Sequence, residues 1–155
     1  MMSVESRDVI RFGLTASFTR VLRCVEDVSE AEAGQLPNNL SPMIWQLGHL
    51  ALSDGGFFRL AGGTSPAPDS FKGFFRTGSG GAADYPPLSD VRPVFEAAQQ
   101  ELERLAQSAD LAQQVESRNF ATIGEMLVFA TYHRGYHIGK MTTLRALLGK
   151  VRLFG

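Results

Sequence analysis

Cysteine is nearly missing from this chain: Cys24 is the only one among 155 residues, so no internal disulfide can form. That thiol count fits a reducing compartment, and the expected location is the cytoplasm. Charge of one sign is missing too, since 15 Lys and Arg face 16 Asp and Glu, for a formal net charge of −1. A chain so close to neutral has no long-range field to hold a phosphate backbone, which argues against nucleic acid as a partner. No run of about 18 apolar residues occurs, which argues against a transmembrane helix and a membrane partner. The opening residues carry acids where a signal peptide needs a basic start and an apolar stretch, so none is expected. The remaining composition, 44% hydrophobic and 20% charged, is that of an ordinary folded protein, and the length suits one domain over residues 1–155. Histidine is scarce as well. There are three, His49, His133 and His137.

Four segments carry helical periodicity and none reads as a strand pair, so the expected fold is all-α, a four-helix bundle. In the first, Ile10, Leu14, Ser17 or Phe18, Val21, Val25 and Val28 recur at steps of three and four, which predicts a helix from about Val4 to Val28. The second is expected from Pro42 to Leu60, with Ser41 as N-cap, Pro42 at the first helical position and Gly62-Gly63 beyond its end. The third runs from Ser89 or Asp90 to about Ala109. The fourth opens with Thr122 and Glu125 in capping-box spacing and continues to Leu148, just before Gly149. Between the second and third helices lies a long irregular stretch, residues 61–87, which holds Phe71, Phe74, Phe75 and Tyr85. Loops of that length are usually functional or disordered, and the aromatics argue that this one packs.

His133 and His137 are four residues apart on a strongly patterned helix, so both imidazoles point to one face and can reach one ion. They fall on the apolar stripe that includes Met126, Ala130, Met141 and Leu144, and His49 falls in the row of Trp45, Leu52 or Ser53, and Gly56. A lone histidine on an apolar face is more often a hydrogen-bonded core residue. Three of three on such faces would leave unpaired nitrogens at a cost of roughly several kcal/mol, and one divalent cation would satisfy all of them. No fourth ligand is well placed: Glu125 is rotated off the line of His133, Asp54 falls away from His49, and Cys24 is in phase with Val21 and Val28 as a small core residue. Three protein ligands with open positions is the pattern of a catalytic ion, and imidazole suits zinc, nickel, copper and iron alike.

Two segments, Ser41-Pro42-Met43-Ile44-Trp45-Gln46-Leu47-Gly48-His49-Leu50-Ala51 and Tyr132-His133-Arg134-Gly135-Tyr136-His137-Ile138-Gly139-Lys140, resemble the DinB/YfiT-like superfamily. The order of elements agrees across nearly the whole chain, including Val28-Ser29-Glu30 and Leu144-Arg145-Ala146-Leu147-Leu148-Gly149. The resemblance implies a four-helix bundle with one histidine-rich divalent metal site, the ligands His49, His133 and His137, and often a homodimer. It also implies the chemistry of characterised relatives, which include metal-dependent transferases and an isomerase that use low-molecular-weight thiols. A metal-dependent hydrolase and a non-catalytic, metal-stabilised binding module are the alternatives, and no catalytic side chain is assigned. A small-molecule substrate or thiol cofactor with carboxylates or hydroxyls would want basic and polar groups at the site mouth. Arg59, Arg134 and Tyr136 are the candidates, with Lys72, Arg76 and Tyr132 beside them. Phe71, Phe74 and Phe75 are read as a lid, a cover for the bundle's open end, or part of a dimer interface.

Overall fold

The computed structural model describes residues 5–81 and 84–154. Four long helices form, α1 (Ser6–Val25), α3 (Met43–Leu60), α5 (Leu88–Ser108) and α6 (Ile123–Leu147), joined by two short ones, α2 (Glu30–Ala33) and α4 (Phe71–Phe75). Among the described residues no strand forms beyond an isolated bridge between Gln114 and Thr122. No helix among them is long and apolar enough to cross a membrane.

The caps explain where the helices begin and stop. The expected start of α1 near Val4 lies outside the described residues, and the helix stops at Val25, short of Val28. Val28 stays buried, but the chain turns there so that Ser29 can cap α2, with Ser29 and Glu32 exchanging side-chain and backbone hydrogen bonds. The adjacent Glu30 reaches across 58 residues and accepts hydrogen bonds from the Leu88 and Ser89 amides at 2.7 and 3.1 Å. Glu30 thus places a negative charge on the otherwise unsatisfied first turn of α5, whose N-cap, Pro87, makes no side-chain cap. The N-cap of α3 is Pro42 rather than Ser41, one residue later than expected, and it makes no side-chain bond. Thr122 caps α6 as its spacing predicts, whereas Glu125 returns its carboxylate to the Ala121 amide, one residue further out. Helix α6 ends where Gly149 takes a φ of +71°, a left-handed turn that glycine adopts without strain.

The apolar stripes bury two clusters. One gathers Val21, Cys24 and Val25 of α1 with Met43, Ile44, Trp45, Leu47, Leu50 and Ala51 of α3, Val91 and Phe95 of α5, and Met141 and Leu144 of α6. The other gathers Ile10 and Leu14, Leu102 and Ala106, and Ile123, Met126, Leu127 and Ala130. Between them in sequence on every long helix sits a polar residue: Ser17, Asp54, Gln99 and Arg134. The Arg134 guanidinium ties these together. It donates to Asp54 Oδ2 at 2.8 and 2.9 Å, to Gln99 Oε1 at 2.7 Å, to Ser17 Oγ at 3.4 Å and to the Leu14 carbonyl at 3.1 Å. Both charged side chains are 0% exposed. Burial raises the Asp54 carboxyl above its usual range, and Arg134 offsets part of that rise.

Removing one partner would leave the other as an uncompensated buried charge. Asp54→Ala is expected to destabilise the protein by about 3–5 kcal/mol, and the double change Asp54→Leu with Arg134→Met should recover most of that loss. Urea unfolding followed by circular dichroism measures both. A double variant no more stable than the single one would show that the hydrogen bonds, and not the unpaired charge, dominate.

Candidate metal centre

His49 enters from α3, and His133 and His137 enter from α6 one turn apart. Their ring centroids are 4.7 to 5.2 Å from one another. One ring nitrogen of each lies within 4.8 Å of the other two, a span that small ring rotations close to the roughly 3.4 Å expected between tetrahedral imidazole ligands. His49 and His137 are 8% and 3% exposed, and His133 is partly exposed.

Hydrogen bonds set which nitrogen each ring offers. Nδ1 of His49 lies 2.7 Å from the Phe75 carbonyl, which can only accept, so Nδ1 carries the proton and Nε2 the free lone pair. Nδ1 of His137 lies 2.7 Å from Gln46 Oε1, and Gln46 spends its amide N–H on the Ser41 carbonyl, so its oxygen must accept. His137 therefore also offers Nε2. Nδ1 of His133 is buried with no hydrogen-bond partner, and besides the other two imidazoles that ring packs on Phe129, stacked at 6.2 Å, and Phe57, edge-on at 6.3 Å. No donor among the described residues reaches the free nitrogens. Two lone pairs directed by outer partners, plus one buried ring nitrogen without a partner, fit a divalent cation.

The walls are aromatic. Trp45 stacks on His49 at 4.7 Å, and its Nε1 donates to Ser79 Oγ in the long loop. Phe75, fully buried, places its ring against Gly48, where a Cβ would overlap it, and so brings its carbonyl to His49. In place of a lid, an end cover or a dimer interface, Phe71 and Phe75 join the apolar core with Phe74 packed against it, and α4 acts on the site through its backbone. Tyr136, 56% exposed, packs edge-on against His137 at 5.1 Å, and Lys140 Nζ lies 4.5 Å from the Tyr136 ring centroid.

Two of the residues expected at the mouth lie elsewhere. Arg134 follows a ligand in sequence, yet the helix turns it 100° into the interior, where its ion pair and hydrogen bonds keep it from any substrate. Arg59 lies ten residues beyond His49, roughly 15 Å along α3, in a shallow depression with Leu52, Thr64 and Lys72. Lys72 there pairs with Asp69. Tyr136 does stand beside the histidines. Residues not singled out from sequence are Gln46, the Phe75 carbonyl, Phe57, Phe129 and Lys140. Gln46 three residues before His49 and Lys140 three after His137 share a helix face with a ligand, a spacing that could have found them. None of the rejected fourth ligands joins the cluster. Glu125 is at the α6 cap, Asp54 faces Arg134, and Cys24 is buried with its thiol pushed up to about 11 by desolvation.

Burial also lowers the histidines' affinity for protons. His49 is held below its usual value, His133 falls to about 4 and His137 to about 3, with repulsion from neighbouring cations added. All three are therefore neutral ligands at pH 7. In metal-free protein the unfolded chain takes up protons below pH 6.5 while the folded rings do not, so stability falls as pH drops from about 6.5 toward 4. Thermal melts of the metal-free protein across that range should show the fall, and His133→Gln with His137→Gln should flatten it. Gln46→Leu removes the acceptor that orients His137, and titration calorimetry should find metal affinity lower by about 10–100-fold.

Neither a curated protein nor a solved structure matches the chain. The DinB superfamily is matched over residues 14–141, a span that takes in all three histidines, the Arg134 layer and the long loop. With an all-helical fold and a histidine triad that could hold a metal ion, the chain belongs to the DinB superfamily.

Proposed function

We propose that this protein is a divalent-metal-dependent enzyme that transfers a low-molecular-weight thiol to a small electrophilic substrate. One observation carries the reading: His49, His133 and His137 converge with no fourth protein ligand among the described residues. A cation held there would supply Lewis acidity, lowering the pKa of a thiol or water that reaches it.

The chain's own residues do the rest. Gln46 and the Phe75 carbonyl hold two imidazoles in the ligating tautomer. Trp45, Phe57 and Phe129 line the rings with apolar surface. No carboxylate of the described residues joins the cluster to act as general base. That lack favours a thiol, whose free pKa of about 8.5 needs little lowering at pH 7, over water at 15.7. The thiol proton passes to solvent, sulfur forms its bond to the electrophilic carbon, and the leaving group departs with its electron pair. Hydrolysis at the same centre is the alternative chemistry.

Zinc, nickel, copper and iron all suit three imidazoles. A homodimer is proposed alongside, supported by the exposed Val9, Phe12, Val128 and Tyr132 of α1 and α6. The expected compartment remains the cytoplasm.

Protein loaded with each metal and given small thiols and a chromogenic electrophile should accelerate the transfer. His137→Ala should reduce the rate by at least about 100-fold, the scale on which loss of an essential electrostatic contributor acts. Rates unaffected by metal or by that change would rule the reading out, and turnover without thiol would favour the hydrolase.

A further inference from the structure

Lys140 differs from the other basic side chains near the core. Arg134 and Arg145 are buried against Asp54 and Asp27, and Lys150 and Lys72 pair with Glu32 and Asp69. Lys140 has no carboxylate partner among the described residues. It lies three positions after His137 on α6, so both project from the same side of the helix. Its ammonium is carried on the Tyr136 ring, 4.5 Å from the centroid, and that ring in turn rests on the His137 imidazole. The cation–π contact keeps the charge beside the histidines without neutralising it.

The charge stands at the edge of the site, one ring removed from His137, and no carboxylate among the described residues hydrogen-bonds any of the three histidines. The histidines themselves are walled by aromatics, with Trp45 against His137 and Phe57 and Phe129 against His133. Though exposed, this unneutralised ammonium attracts an anionic group that a ligand at the triad carries next to it. Lysine suits this as a compact charge on a flexible stem, able to follow a carboxylate whose position varies.

We infer that Lys140 is a specificity-determining residue that takes the carboxylate of a ligand whose thiol is bound at the histidine triad. The substrate class is then a short mercaptocarboxylate or a larger thiol with a carboxylate close to sulfur. This inference rests on the metal-centre reading proposed above, and the two can fail separately.

The test uses full-length protein loaded with cobalt(II), whose absorption reports thiolate binding without turnover. It is titrated with 3-mercaptopropionate, 2-mercaptoethanol and 2-mercaptoethylamine. Wild type should bind 3-mercaptopropionate about tenfold more tightly than 2-mercaptoethanol, and the aminothiol most weakly. Lys140→Gln should bring the first two within about twofold of each other, with cobalt stoichiometry and 2-mercaptoethanol affinity unchanged, and Lys140→Arg should keep the preference. A preference that survives Lys140→Gln, or an equal loss for all three thiols, overturns the role of Lys140 alone. Cobalt that does not bind, or a spectrum that no thiol alters, overturns the metal centre and this inference with it.

Discussion

The guanidinium of Arg134 is the point on which the bundle is organised. Its donors reach α1 through Ser17 and the Leu14 carbonyl, α3 through Asp54 and α5 through Gln99, while its own backbone belongs to α6. Apolar packing on either side is non-directional and would tolerate a helix that slides or turns. A planar group with fixed donor directions does not tolerate it. Relative to a well-packed apolar replacement, such a buried pair adds little net stability. What it supplies is a rotational setting for α6. Because His133 is its neighbour and His137 lies three residues on, that setting is also the aim of two of the three ligands.

The site thus inherits its geometry from the core. His49 is placed by α3, packed against α5 and α6 through the cluster around Leu47 and Leu50, and its proton goes to the loop. His137 is oriented by Gln46, which shares a helix with His49, so one face of α3 carries both a ligand and the orienting partner of another. His133 is the exception. Its Nδ1 has no such partner and its ring is confined only by aromatic edges and faces. Two imidazoles are therefore pre-set, and the third can adjust to whichever ion and ligand arrive.

Much of this was legible in the sequence, for definite reasons. The four long helices show because their buried residues recur at steps of three and four, and the triad shows because histidines stand on those same stripes. Arg134 was misread because a charged residue beside a ligand suggests a substrate contact. Its true partner, Asp54, lies 80 residues away, and nothing local announces the pairing. Arg59, expected at the mouth as a basic group, stands away from the triad because ten residues of rigid helix separate it from His49. The helix α4 was hidden because five residues are too few for a periodic signal. The Phe75 carbonyl had no sequence signature at all, since a main-chain oxygen is present at every residue.

That carbonyl has a broader meaning for how such a protein can change. The bond orienting His49 comes from the backbone of the long loop, so it depends on the loop's path and on the Phe75 ring seated against Gly48. The loop's exposed, outward side chains are exempt from that duty. Lys72, Arg76 and Thr77 are exposed and make no contact with the triad, and they can be exchanged while the ligand set keeps its tuning. Ion binding and loop surface are thereby separate modules of one segment, and new loop chemistry can be tried without retuning the metal site.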